Sequence, residues 1–479
     1  VASIHRRGIE KIKLPDDFVT RYKELLGKEW PIFYEYIFRP LPISLRVNPL
    51  KCNPSHIKER LEMEGLQLIP IPGIPFAYVV KGVGAHHKIG NLIWHFLGYI
   101  YVQEAASMLP PVVLDPQPGE YILDLAAAPG SKTTQIAAMM GNTGVIVAND
   151  IRIDRISALS SNLDRLGVIN VMVTKLDGRR MGRLFTNFFD KVLVDVPCSA
   201  EGTSRKSPEV FSFWSVANIN KMQRIQIPLL VAGFKALKPG GQLVYSTCTL
   251  APEENEAVIS YLLEHYPATV EEIRIEGWHH HEGITEWQGR KFHPDVTKCW
   301  RLYPFDNDTE GFFLCLIRKL APTPGEPFEL PRTKHKAWPP DKVLWSKYGW
   351  PEFADVQFYA SGDKVWVMSE QLFAFEFEHS LRRGLLFARK IKNEYKLTTN
   401  AAQLFGRYAT TGYVLISREL AERFIRGEDI PWHEKVENGK WIIVRWDEYP
   451  LGIGSIIGDR IKNQLPRSRR VVENLLRLR

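Results

Sequence analysis

From about Gly119 onward the chain alternates short apolar runs with longer amphipathic stretches. Tyr121 to Leu125, Val145 to Ala148, Val171 to Leu176, Lys191 to Val196 and Gln242 to Ser246 are the apolar runs, each read as a strand. Ser131 to Met140, Ile153 to Leu166, Val216 to Leu237 and Pro252 to Tyr266 have helical spacing. Arg301 to Phe305 and Gly311 to Ile317 read as a closing hairpin. Strand and helix taken in turn imply a mostly parallel sheet with helices on both faces. The hairpin adds an antiparallel strand at the end.

The flanking regions have a different pattern. Asp16 to Leu26 predicts a helix with acidic residues at its start. Ile43, Leu45 and Val47 alternate with polar residues as in a strand, and Asn53 to Glu64 reads as a helix. Residues 1–118 are therefore expected to form a small α+β module, and 119–320 the α/β domain. The segment 321–340 carries Pro322, Pro324, Pro327, Pro331, Pro339 and Pro340 and reads as a linker. Residues 341–479 form a further region, with strands such as Lys364 to Met368 and Trp441 to Arg445. Its basic clusters are Arg382-Arg383, Arg389-Lys390-Ile391-Lys392 and Arg467-Ser468-Arg469-Arg470.

Composition narrows the class. The 479 residues carry a net charge of +8, which fits a polyanionic partner or simply a basic globular protein. The five cysteines are irregularly spaced and include no C-x-x-C pair, so neither a disulfide framework nor a zinc site of that kind is expected. This is the cysteine usage of a reducing compartment, and a cytoplasmic location is expected. No apolar stretch follows Val1-Ala2-Ser3-Ile4-His5-Arg6-Arg7, and no run of about 18 apolar residues occurs, so neither a signal peptide nor a membrane span is expected.

Two cysteines stand where strands end: Cys198 in Asp195-Val196-Pro197-Cys198-Ser199, and Cys248 in Tyr245-Ser246-Thr247-Cys248-Thr249. Strand ends of an open α/β sheet face its ligand crevice, so two nucleophilic thiols can meet there. An isolated free cysteine is more often a buried structural thiol; the paired contexts weigh against that. The first strand runs into Asp124-Leu125-Ala126-Ala127-Ala128-Pro129-Gly130-Ser131-Lys132-Thr133, whose small residues let backbone approach a ligand. It is not a P-loop: that motif needs Gly, four residues, then Gly-Lys-Ser/Thr, whereas here Gly130 is followed by Ser131 and the earlier Gly is missing; G-x-G-x-x-G is absent as well. Asp150, Asp177 and Asp195 lie at three further strand ends. Acids there suit ribose hydroxyls and an adenine amino group, hence a phosphate-free adenosyl ligand with a cationic sulfonium such as S-adenosylmethionine. Taken singly, Asp150 and Asp177 are equally well explained as caps or turn residues.

Gln103-Glu104-Ala105-Ala106-Ser107-Met108, the Asp124 to Thr133 loop, Asp195 to Ser199, Arg205-Lys206, Tyr245 to Thr249 and Glu253-Glu254-Asn255-Glu256 stand in this order. Together they resemble the Rsm/Nop/Sun family of RNA cytosine-C5 methyltransferases through about Lys319. Arg46-Val47-Asn48-Pro49-Leu50-Lys51 resembles that family's N-terminal module, which more often has Thr where Pro49 stands. Leu415 to Ile430 and Pro450 to Pro466 resemble the PUA-like tail of the RsmF subgroup, whose members modify small-subunit ribosomal RNA. The resemblance implies a class I methyltransferase fold, Rossmann-like with a seven-stranded sheet, and S-adenosylmethionine held by Ala126, Ala127, Ala128, Pro129, Gly130, Ser131, Lys132, Asp150, Asp177 and Asp195. It implies Cys248 as the nucleophile on cytosine C6, Asp195 as the holder of the base at N3, and Cys198 as an aid to product release. Transfer RNA is the alternative substrate, and a non-catalytic assembly factor a third reading against which the intact cysteines argue.

Arg205, Lys206 and Arg46 are candidate RNA contacts, with a solvated charge as the bland alternative. Lys132 is expected near the cofactor or base, or pointing to solvent. His279-His280-His281, with Glu282 and His293 nearby, reads as a solvated loop rather than a metal site. Trp338, Trp345 and Trp350 are expected in a core rather than stacked on bases. A monomer is expected.

Overall fold

The computed structural model describes residues 14–81, 89–331, 336–339, 342–434 and 441–470. The basic N-terminal heptapeptide and part of the expected linker (332–335 and 340) lie outside these. The chain forms two compact units.

The first unit comprises 14–42, 104–114 and 178–327. Its centre is a parallel pair, Phe189–Asp195 and Leu237–Thr247, in register from Lys191↔Gln242 to Asp195↔Ser246. The 21-residue helix Val216–Ala236 connects them, with the Ser215 hydroxyl capping its start by accepting from Asn218 N at 3.1 Å. Phe312–Lys319 then pairs antiparallel with Leu237–Thr247, as expected for the closing strand. Its hairpin partner is shorter than expected, Trp300–Leu302, because Pro304 opens a short helix capped by Asp306. The helix after Cys248 begins at Glu256 rather than Pro252. Asn255 is held out of helical geometry, its amide donating to Thr249 O (3.1 Å) and its oxygen accepting from Thr247 Oγ1 (2.7 Å). Phe18, Tyr22 and Phe33 of the helices Asp16–Leu26 and Trp30–Phe38 share a core with Phe211, Trp214 and Leu250.

The second unit comprises 43–103, 115–177 and 328–470. Tyr121–Asp124, Val145–Asn149 and Val171–Thr174 pair in parallel. Val145–Asn149 is buried along its whole length, the mark of a strand covered on both faces. Ser380–Arg383 adds antiparallel to Val171–Thr174. The strand expected from Ile43, Leu45 and Val47 sits in a four-stranded antiparallel sheet with Ala77–Lys81, Gln67–Pro70 and Ile100–Val102. Two more sheets follow: a four-stranded one from Val356–Ser361 to Glu394–Leu397, and a five-stranded one centred on Trp441–Trp446 and Tyr449–Ile457. Trp350 lies in the core of this region and Trp338 and Trp345 pack against it, as expected. Among the described residues, no helix is long and apolar enough to cross a membrane.

Candidate active site

Parallel pairing of Phe189–Asp195 with Leu237–Thr247 brings the two cysteine loops to the same strand ends. Cys198 Sγ and Cys248 Sγ are 3.1 Å apart, and both residues are half-buried. Ser199 Oγ and Thr249 Oγ1, the next residues along, are 2.8 Å apart. Asp195 accepts a hydrogen bond from Ser246 Oγ at 2.7 Å. The hydrogen bond with Cys248, together with burial, pushes the Cys198 thiol well above the usual range. The other thiols are differently placed: Cys299 and Cys315 are buried, and burial pushes Cys52 up to about 12.

A carboxylate network that the sequence did not single out for a role holds both loops. Glu254 is buried and accepts from Ser199 N (3.0 Å), Gln226 Nε2 (2.7 Å) and Thr249 Oγ1 (3.2 Å). Gln226 Nε2 also donates to Pro197 O at 2.9 Å, so one side chain ties Glu254 to the Cys198 loop. Burial, the largest influence, raises the Glu254 carboxyl to about 7, partly offset by its hydrogen bonds from Ser199 and Gln226. Glu201, also buried, accepts from Tyr22 Oη (2.5 Å), Thr249 Oγ1 (2.9 Å) and Leu250 N (3.3 Å). Arg301 and Glu256 form a buried ion pair at 2.5 Å, and the same guanidinium donates to Leu250 O. The signal in the sequence was Glu253-Glu254-Asn255-Glu256, too many acids for a segment so close to an apolar strand. Backbone also closes tightly on the Cys248 loop. Gly202 N donates to Cys248 O at 2.9 Å, and Gly311 N donates to Gly202 O at 2.9 Å. A Cβ at Gly202 would lie 2.2 Å from Gly311 O, so this approach requires glycine there.

The expected cofactor loop lies in the second unit. Thr133 Oγ1 donates to Asp124 Oδ2 (2.6 Å), Ala127 N to Asn149 O (2.7 Å) and Asn162 Nδ2 to Pro129 O (2.9 Å). Arg155 donates to Ala128 O. Gly130 has φ +97°, a backbone conformation that favours glycine in the turn before helix Ser131–Met139. Asp150 is buried at the end of Val145–Asn149, accepting from Arg152 N (2.9 Å) and Ala128 N (3.3 Å). Each carboxylate oxygen has two lone pairs, so Asp150 can brace the loop and still accept from a ligand hydroxyl. Asp177 is half-buried beyond Val171–Thr174. Ala126 is half-buried, Ala127 and Ala128 are buried, Ser131 is half-buried and Lys132 is buried rather than pointing to solvent. Small residues with carboxylates at successive strand ends fit the hydroxyls and amino group of an adenosyl ligand better than a phosphate.

Of the three expected RNA contacts, Arg205 and Arg46 are buried. Arg205 is buried and donates to Arg39 O (3.2 Å), Thr309 O (2.9 Å), Pro40 O (2.8 Å) and Asp308 Oδ1 (2.7 Å). Arg46 is also buried, donating to Gln103 Oε1 (2.9 Å) and Thr134 Oγ1 (2.6 Å). Both guanidinium groups are structural cross-links, not phosphate contacts. Lys206 is exposed. In the basic clusters, Arg382 pairs with Asp164, Arg383 donates to Leu372 O and Phe373 O, and Arg469 donates to Phe96 O and Gln403 Oε1. Arg389, Lys390 and Lys392 are exposed. His279 and His280 are exposed, as expected of a solvated loop, with the His280 ring stacked on Trp300 at 4.0 Å; His281 is half-buried and lies 3.1 Å from Asp306. Among the described residues, no group of three or more His, Cys, Asp or Glu can hold a metal ion.

Known proteins match the chain along most of its length. The model of the 16S rRNA methyltransferase RsmB/F family matches residues 111–318, that of the N-terminal domain of 16S rRNA methyltransferase RsmF residues 14–105, and that of the methyltransferase RsmF PUA domain residues 414–471. Ribosomal RNA small subunit methyltransferase F of Aeromonas hydrophila is 32% identical over 95% of this chain and 97% of its own. The tRNA (cytosine(49)-C(5))-methyltransferase of Pyrococcus abyssi is 46% identical over 64% of this chain and 97% of its own. Among solved structures, a methyltransferase homologue from Pyrococcus horikoshii aligns with TM-score 0.58 and 36% identity, covering 65% of this chain and 97% of that one. NSun6 from Pyrococcus horikoshii with SFG, an S-adenosylmethionine analogue, aligns with TM-score 0.56 and 26% identity over 64% of this chain and 98% of that one. With the paired thiols and the small-residue loop, these matches lead to one conclusion: the chain belongs to the RsmB/F family of S-adenosylmethionine-dependent RNA methyltransferases and has their class I, Rossmann-like α/β fold.

Proposed function

We propose that this protein methylates C5 of cytosine in small-subunit ribosomal RNA through a covalent adduct on Cys248. The observation that carries the reading is the pair of thiols 3.1 Å apart at the ends of two parallel strands. Cytosine C5 is a weak nucleophile. Addition of the Cys248 thiolate to C6 forms a C–S bond and moves an electron pair onto the ring, so that C5 can attack an electrophilic methyl group. S-adenosylmethionine supplies that methyl group when bound, and Ala126 to Lys132 with Asp150 and Asp177 would hold it. Asp195 holds the base at N3, stabilising charge on the ring. Once Cys248 is bonded to C6 its thiol can no longer hydrogen-bond with Cys198, which removes the largest influence holding the Cys198 thiol above the usual range. The Cys198 thiol can then release its proton to solvent, and the thiolate acts as the base: it takes the proton from C5, the electron pair reforms the C5–C6 double bond, and the C6–S bond breaks to restore the Cys248 thiolate.

The N-terminal and PUA matches, with full-length similarity to ribosomal enzymes, support ribosomal RNA as substrate. One observation favours transfer RNA instead: the higher identity, 46%, is to a transfer RNA enzyme, which covers 64% of this chain. Incubation with labelled S-adenosylmethionine and either small-subunit RNA or transfer RNA, followed by bisulfite mapping, separates them. Label at a single cytosine of ribosomal RNA is expected; label confined to transfer RNA would overturn the ribosomal assignment. The expected domain limits, 1–118, 119–320, 321–340 and 341–479, form part of this reading. A monomer in the cytoplasm completes it, with five free cysteines suited to a reducing compartment.

A further inference from the structure

A cavity of about 460 Å³ lies within the second unit, lined by Lys51, Cys52, His56, Arg407, Tyr408 and Glu448 among others. None of these belongs to the thiol pair or the cofactor loop. Its volume is that of a small-ligand pocket. One wall is charged and aromatic: the Arg407 guanidinium lies 4.7 Å from the Tyr408 ring centroid, and Tyr408 is 42% exposed. Arg407 donates to Lys51 O (2.6 Å) and Tyr408 Oη (2.6 Å), while its Nε is buried with no hydrogen-bond partner among the described residues. Elsewhere in the lining, His56 Nε2 sits 2.7 Å from Tyr449 Oη and 3.1 Å from Glu448 Oε1. The Glu448 side chain is exposed and, when ionised, offers acceptors only.

We propose that this cavity binds one unpaired nucleotide of the substrate RNA, with a base that carries an exocyclic amino group. The base stacks on the Tyr408–Arg407 pair, as unpaired bases do on aromatic and guanidinium planes. The amino group of adenine, guanine or cytosine donates to the Glu448 carboxylate; uracil has no such donor. Binding is non-covalent. Cys52 donates to Asn48 O at 3.2 Å and is buried enough to stay a thiol at neutral pH.

The proposal rests on the RNA-methylation reading, and the test separates the two. GMP is the probe, because it is neither the adenosyl group of the cofactor nor the cytosine of the reaction; UMP is its control. Binding to the full chain is measured by equilibrium dialysis for the wild type, Glu448→Gln and Tyr408→Ala, both changes being at exposed side chains. GMP is expected to bind at least about fivefold tighter than UMP, a difference worth one hydrogen bond. Glu448→Gln should abolish the preference and Tyr408→Ala should weaken both nucleotides about fivefold. In methylation assays Tyr408→Ala should raise KM for RNA several-fold with kcat within about twofold. Equal GMP and UMP binding in all three proteins, or an unchanged KM, would overturn the cavity assignment. Selective GMP binding by a wild type that does not methylate RNA would uphold the cavity and sink the function reading instead.

Discussion

Replacing Cys248 by alanine is expected to remove methyl transfer to RNA by at least about four orders of magnitude, while leaving the fold intact. The reason is chemical: alanine has no lone pair to place on C6, and without that bond C5 has no electron pair to offer. The side chain is half-buried and its thiol hydrogen-bonds with Cys198, so its removal leaves a small void and no unpaired charge. Thermal unfolding should shift by no more than a few degrees, and binding of S-adenosylmethionine should persist, because the loop from Ala126 to Lys132 has no part in the thiol pair. Measured label transfer and cofactor binding on the same preparation check both halves. A Cys248→Ala protein that still methylates RNA would remove the nucleophile assignment.

The second large effect is expected at Glu254. Its two oxygens take hydrogen bonds from Ser199 N, Gln226 Nε2 and Thr249 Oγ1, so it spans both cysteine loops. Glu254→Ala leaves Ser199 N and Gln226 Nε2 without this acceptor, at about 1–3 kcal/mol each, and frees the loops to separate. A loss of kcat of about a hundredfold is expected, with KM for RNA little changed. Glu254→Gln should retain activity within about threefold. Its amide oxygen can take the Ser199 and Gln226 bonds and its NH2 can donate to the Thr249 hydroxyl. The two variants also differ from the wild type in pH dependence. Burial raises the Glu254 carboxyl from 4.5 to about 7, so between these values the folded protein holds a proton that the unfolded chain has released. Wild-type stability should fall on the order of 3 kcal/mol as pH rises from 4.5 to 7, and this component should be missing from Glu254→Gln. Denaturant unfolding at about pH 5 and about pH 8, on either side of the folded value, measures it. Equal slopes for wild type and Glu254→Gln would mean that the carboxyl does not titrate in this range.

Much of the architecture was legible in the chain. Runs such as Val145–Asn149 and helices such as Ile153–Leu166 follow from hydrophobic period alone, because buried parallel strands are apolar on both faces and surface helices on one. The cysteine pair was also legible, since both motifs follow strands of one α/β pattern whose ends face the same crevice; the Asp195↔Ser246 register that aligns the two loops is a finding of the structure. What composition could not reveal was where charged side chains would point. Arg205 and Arg46 look like surface cations in sequence, yet each is consumed by carbonyl and side-chain acceptors inside its unit. Glu254 and Glu256 look like surface acids, yet they are buried and organise the cysteine loops. Such assignments depend on partners far along the chain or in other elements, which periodicity does not encode. The helix after Cys248 starts late for the same reason: Asn255 is held by Thr247 and Thr249.

In the proposed cycle Cys248 attacks the base and Cys198 frees it. The most direct measurement of that division is denaturing electrophoresis of the Cys198→Ala protein after incubation with substrate RNA and labelled S-adenosylmethionine. A stable protein–RNA adduct carrying label is expected, absent from Cys248→Ala and from the double variant. An adduct that persists in the double variant, or a Cys198→Ala protein that turns over without forming one, would contradict it.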